Sequence, residues 1–218
     1  MKLDVNTRFA PISQIGTVSQ LLAVNADVPA QNLQEFIALL KANPGKYHYG
    51  SSGLGAIMHL GGELFSFMTE TKVVHVPYRG EGPAMVDLLA GRVQFVVASV
   101  PALLPHLRSG ELRALCVNAD HRLALLPEVP TAAEVGFKDY RAYSWYGLFA
   151  PAGTRKEVVD RVAAVTEQAL KDPAIKARLD EMGTPPMLGY TPARFAQYVK
   201  DEVAIWVPMV KASGARVE

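Results

Sequence analysis

Short apolar runs alternate along the chain with stretches in which apolar residues recur every third or fourth position, a pattern of strands followed by helices. "SQLLAVN" (19–25) reads as a strand. A helix follows, with Asn32 as N-cap, Glu35 three residues on, and Leu33, Phe36, Ile37 and Leu40 on one face; "NPG" at 43–45 ends it. Three strand–loop–helix units come next. "YHYG" runs through the glycine-rich "SSGLGA" into a helix around 56–68. "VVHVPY" runs through "RGEGP" into "AMVDLLAG", and "VQFVVAS" runs through "VP" into "ALLPHLRSG". "LRALCVN" (112–118) is a further strand. Strands alternating with helices predict an α/β fold with a mostly parallel sheet and helices on its faces.

The texture changes after about residue 120. "LLPEVPTAAEVGF" is punctuated by proline, and "SWYGLFAPAG" reads as a buried strand ending in a turn. Thr154 and Glu157 have capping-box spacing before a helix whose predicted inner face is Val158, Val159, Val162, Val165 and Ala169. "DPAIKARLDEMG" predicts a short helix stopped by Gly183. Thr191 and Pro192 open the last helix, with a stripe of Phe195, Val199, Val203, Trp206 and Val210; Pro208 is expected to kink it or end its regular part.

Half of the 218 residues are apolar, enough for one large domain or two small ones, each with its own core. The formal net charge of +1 argues against a nucleic-acid partner, which needs a basic surface. The single cysteine, Cys116, excludes a disulfide within the chain and a cysteine metal cluster, and it reads as a small core residue. No apolar run reaches the roughly 20 residues of a membrane-spanning helix. Asp4, Asn6 and Arg8 interrupt the start where an export signal needs a continuous apolar segment.

In parallel α/β sheets, ligands sit beyond the carboxyl ends of the strands. The loops at 50–56, 78–83 and 99–101 all fall at that edge, and each runs into a helix N-terminus with free N–H groups and partial positive charge. Glycine allows close approach, so the edge is suited to a carboxylate or a phosphate. Nucleotide motifs fail. No Gly-Lys-Ser/Thr follows the loop, and Met58 stands where G-x-G-x-x-G needs its third glycine. Leu54 likewise breaks G-x-S-x-G, and spacing nominates no triad, so Ser51 and Ser52 read as hydroxyl donors or turn formers. His59 and Glu63 lie four apart without forming H-E-x-x-H and read as a packing or surface pair; His75, in a strand, reads as structural. No metal or other cofactor is implied. Arg79, in a glycine-flanked loop, is either a bidentate carboxylate ligand or a solvated surface residue.

Six segments, in order and spacing, resemble the Bug-type substrate-binding proteins of tripartite tricarboxylate transporters. They are "KANPGKYHYGSSGLGAIMHLGGELF", "VHVPYRGEGPAMVDLLAGRVQ", "ALLPHLRSGELRALCVN", "LLPEVPTAAEVGF", "SWYGLFAPAGT" and "DPAIKARLDEMG". The resemblance covers essentially the whole chain. It implies a type II periplasmic-binding-protein (flytrap) fold, in which two α/β lobes close on a small carboxylate that passes to a membrane permease. By the same resemblance, one complete lobe spans 20–115, while 1–19 and 116–218 form the hinge and part of the other lobe. Implied ligand contacts are Ser51, Ser52, Gly53, Gly55 and Ala56, with His59 following; then Tyr78, Arg79 and Gly80; and Ser99 after the third strand.

Two departures bear on the ligand. Ala56 stands where the family commonly has a hydroxyl residue, and Ala98 where it often has an aspartate. The lost carboxylate argues against an ammonium-bearing ligand and for a plain carboxylate with an apolar or aromatic body. Family members also carry about a further third of chain before the position of Met1, which supplies a signal peptide and the rest of the other lobe. The expectation is therefore a shortened chain: periplasmic by resemblance, cytoplasmic if expressed as given. Three readings stay open. One is a non-enzymatic receptor for a small carboxylate. The second is a remnant that binds nothing and associates as a homodimer through the incomplete lobe. The third is a cytoplasmic sensing domain or enzyme on the same scaffold.

Overall fold

The computed structural model describes residues 5–212. The elements in chain order are α1 (Val5–Arg8), β1 (Phe9–Asn25), α2 (Leu33–Ala42), β2 (His48–Ser51), α3 (Ile57–Thr69), β3 (Val74–Pro77), α4 (Glu81–Leu89), β4 (Phe95–Ser99), α5 (Val100–Arg108), β5 (Leu112–Asn118), β6 (Tyr143–Pro151), α6 (Lys156–Leu170), α7 (Pro173–Glu181) and α8 (Pro192–Ala212). They form two compact units: residues 19–143 with 209–212, and residues 5–18 with 144–208.

In the larger unit the strand order is β3-β2-β4-β1-β5. β2 pairs in parallel with β3 and β4, while β1 pairs antiparallel with β4 and β5. The sheet is therefore mixed: the parallel strands of the strand–helix units are interrupted by one long reversed strand. β1 is longer than its apolar core, because the predicted strand at 19–25 continues backward to Phe9. A shift of register between Leu22 and Ala23 accommodates β5 on one side.

Apolar side chains fill both faces of this sheet. On one face Leu22, Val24, Phe36, Tyr49, Phe65, Phe95 and Val97 pack with α2 and α3. On the other, Leu21, Ala23, Met85, Leu88, Val96 and Leu103 pack with α4 and α5. Consecutive β1 residues Leu21 to Val24 thus point to alternate faces, both buried, which explains why the strand is a continuous apolar run rather than an alternating one. Cys116 is fully buried, as expected, and burial pushes its thiol up to about 12.

Local signals were obeyed unevenly. Asn32 caps α2 by accepting the Glu35 N–H at 2.9 Å, and Glu35 reaches back to the Gln31 N–H at 2.7 Å. The capping box expected at Thr154 does not form. The Thr154 hydroxyl donates to the Pro151 carbonyl instead, and α6 starts after Arg155. The inner face of α6 is also displaced: Val159, Ala163 and Leu170 are buried, whereas Val158, Val162 and Val165 are exposed. Val162 and Val165 line an open groove of about 370 Å³ with Ile15, Ala169 and Leu170. β6 is not a buried strand: Tyr146 and Leu148 face solvent, while Gly147 lets the Phe195 ring close onto the strand backbone. α8 runs through Pro208 to Ala212, so that proline does not end it.

Two glycines in α3 let that helix approach the sheet. A methyl on Gly61 would meet Val97 Cγ1 at 2.9 Å and Ala142 Cβ at 3.0 Å, and one on Gly62 would enter the buried Tyr49 ring. Gly62→Ala is expected to lower the unfolding free energy by about 1–3 kcal/mol through overpacking. Gly82→Ala, in α4 with nothing near a new methyl, is expected to be neutral or to add up to about 1 kcal/mol of helix propensity. Urea unfolding midpoints of the two variants compare them directly.

Candidate functional site

The carboxyl ends of β2, β3 and β4 lie side by side, and each strand leads into a helix: β2 into α3, β3 into α4, β4 into α5. None of the three helices has a side-chain cap on its N-terminus: Ala56, Gly80 and Ser99 hold the cap positions without capping bonds. The first-turn N–H groups of these helices are thereby left to water or to a ligand. The connecting loops need glycine: Gly53, Gly55 and Gly80 have φ of 127°, 76° and 116°.

The β2–α3 loop is held from beneath. Ser51 is fully buried, and its hydroxyl lies 2.6 Å from His75 Nε2. The same oxygen accepts the Gly53 N–H at 3.2 Å. His59 is buried as well, and its Nδ1 accepts the Gly55 N–H at 3.1 Å. Burial lowers the His59 pKa, with Glu63 opposing, so its remaining proton sits on Nε2, 4.0 Å from the Glu63 carboxylate. That carboxylate accepts the Tyr49 hydroxyl at 2.6 Å, and burial together with Glu63 keeps the phenol protonated. The rings of Tyr49, His75 and His59 form one stack, with centroids 4.9 Å and then 4.1 Å apart. Ser51 and His59 therefore use their polar atoms on the loop itself.

The pair of Ser51 and His75 does not amount to a nucleophile and its base. Burial, then the neighbouring His59, pushes His75 down to about 4, and no group among the described residues hydrogen-bonds its other nitrogen.

The second loop contributes differently. Tyr78 is half-buried, and its hydroxyl donates to Asp87 at 2.7 Å; its pKa is pushed up to about 12 by burial and by Asp87. Its backbone N–H donates to the Ser51 carbonyl, tying this loop to the first. Arg79 is exposed, with no ion pair among the described residues. Ser52 and Ala56 are half-exposed beside the α3 N-terminus. At the third strand end, the Ser99 N–H and hydroxyl both donate to Glu81 Oε1 at 3.1 Å. The pairing of His59 with Glu63 and the structural role of His75 follow the sequence reading; their contacts with Tyr49 and Ser51, and the role of Glu81, do not show in the spacing. His75 and Glu63 read as bland in sequence because their partners lie 24 and 14 residues away. No group of three His, Cys, Asp or Glu that could hold a metal ion occurs among the described residues.

A mixed sheet of this topology, with its helix starts gathered at one edge, is an α/β scaffold of the periplasmic-binding-protein type, in which loops beyond the strand ends form the candidate site. The family model of TctC, the tripartite tricarboxylate transporter family receptor, matches residues 1–215, and the chain belongs to that family. Protein BugT of Bordetella pertussis is 34% identical over 210 residues, covering 96% of this chain and 64% of BugT. The solved structure of R. palustris Rpa4515 with adipate superposes with a TM-score of 0.86 at 34% identity, over 98% of this chain and 71% of that one. MatC from Rhodopseudomonas palustris with bound malate gives 0.84 at 27% identity, over 95% and 71%. The chain thus spans somewhat under two thirds of the length of the curated relative. No helix among the described residues is long and apolar enough to cross a membrane.

The histidine stack makes stability depend on pH. His59 and His75 are held below the ordinary value of 6.5, so the unfolded chain takes up protons that the folded chain refuses. Their contribution is complete above pH 6.5 and declines as pH falls toward about 4. Melting temperatures between about pH 7 and pH 4.5 should fall for the parent chain, and His75→Gln should show a shallower decline.

Proposed function

We propose that the larger unit binds a small organic carboxylate and that the chain acts as a periplasmic solute receptor, delivering its ligand to the permease of a tripartite tricarboxylate transporter. The observation that carries this reading is the set of helix N-termini without side-chain caps at one sheet edge, reached through glycine turns and flanked by Arg79, which has no ion pair among the described residues. Helix N-termini stabilise an anion through N–H donation and the helix dipole together. The adipate and malate in the solved relatives are both carboxylates, which supports the same chemistry.

In this reading the ligand carboxylate lies against Ser52 and the free N–H groups of the first turn of α3, while Gly53, Gly55 and Ala56, whose own amides are bonded within the loop, give it its shape. Ser51 and His59 set the loop rather than touch the ligand. Arg79 and the Gly80 turn close over the carboxylate, with Tyr78 buttressing that turn, and Ser99 lines the far end. The absence of a hydroxyl at Ala56 matters little here, because the donors are backbone N–H groups. No activated nucleophile is required, since binding and release leave the ligand unchanged. Receptors of this kind select ligand by its differential affinity for the closed state.

A thermal-shift panel of mono-, di-, hydroxy- and aminocarboxylates tests the reading. A true ligand at about 100 times its Kd should add about 2.7 kcal/mol of stability. Arg79→Ala should weaken that ligand by about 1.5–3 kcal/mol, the value of a charge-assisted bond, with little change in the unliganded melt. A panel in which no carboxylate shifts the melt sinks the proposal.

A further inference from the structure

We propose that Glu81 is a specificity-determining residue, which makes the β4 end of the binding edge reject a second carboxylate and accept a hydrogen-bond donor on the ligand. The inference rests on the carboxylate-binding reading above and specifies the other end of the ligand.

Glu81 is the first residue of α4, immediately after the Gly80 turn, so it belongs in sequence to the β3 loop. α4 packs on β2 and β4 on its way to the next strand, and this brings the side chain to the end of β4. There Oε1 accepts both donors of Ser99, the residue that joins β4 to α5. One oxygen thus takes the two nearest donors at the start of α5. The other, Oε2, has no hydrogen-bond partner among the described residues, although the side chain is half-buried.

This arrangement has two consequences for a ligand. The N-terminus of α5 already faces an anion, so a second ligand carboxylate there would meet like charge. A hydroxyl or ammonium group would instead find an unused, charged acceptor, and charge-assisted hydrogen bonds are the strong ones. The absence of an acid at Ala98 is thereby offset. Ala98 is fully buried in the core and does not face the edge, while Glu81 brings a carboxylate to the neighbouring residue from another loop. Under this proposal the ligand is an acid bearing a donor at its far end, rather than the plain acid with an apolar body that Ala98 alone suggests.

Calorimetric titration of the full chain with two homologous series tests this: unbranched dicarboxylates from succinate to adipate, and ω-aminocarboxylates of matching chain length. The parent chain should prefer the amino acid at whichever length binds. Glu81→Gln keeps an acceptor for Ser99 but removes the charge. It should weaken the ω-aminocarboxylate and strengthen the dicarboxylate, each by about tenfold or more. If the variant moves both series by the same factor, or neither, Glu81 does not set specificity, and the carboxylate reading stands without it. If no member of either series binds parent or variant, the carboxylate reading fails and the role of Glu81 fails with it.

Discussion

The proposed binding edge depends on how closely α3 lies on the sheet. Gly61 and Gly62 present no side chain to Val97 and Tyr49, and this contact fixes the height at which the helix begins. Were α3 lifted by a methyl group, the loop between Ser51 and Ile57 would have to lengthen, and its N–H groups would no longer converge. An apolar contact within the core thus sets the position of a polar surface. Two neighbouring glycine clusters, separated by only a few residues, do different work. Gly53 and Gly55 permit left-handed turns, while Gly61 and Gly62 permit packing.

Beneath the loop, polarity is organised in a column rather than scattered. Tyr49, Glu63, His59, His75 and Ser51 each meet another member of the set, by hydrogen bond, ion pair or ring stacking. Such networks stabilise when complete and are costly when a member is removed. Here the column leaves the Gly53 and Gly55 amides committed to Ser51 and His59. In the proposed site the amides left for a ligand are therefore those at Ser52 and along the first turn of α3.

Most of the architecture was legible because it follows from local patterns. The strand–helix alternation through 47–118, the Asn32 cap and the breaks at glycine were all readable from residue type and spacing. Where reading failed, a distant contact had overruled a local preference. Thr154 found the Pro151 carbonyl and lost its capping role, and the buried face of α6 rotated toward Val159 and Ala163. The reversed direction of β1 was not legible, since an apolar run has no intrinsic orientation in a sheet. For the site, the loops were visible in the sequence, but the traffic between them was not. That Ser51 faces His75, or that Glu81 crosses to Ser99, depends on which strands are neighbours, and strand order is a property of the folded sheet.

The placement of β1 also bears on how the chain reaches its fold. In the larger unit its partners are β4 and β5, roughly 70 to 100 residues later in the chain, so the central pairings carry high contact order. During synthesis the apolar run from Leu21 to Val24 emerges before both of its strand neighbours. Until residues near Asn118 have left the ribosome, the edge of β1 that β5 covers has no partner, and an unpaired apolar strand edge is open to mispairing. The pairings that complete the sheet around β1 therefore close only after most of this unit has been made.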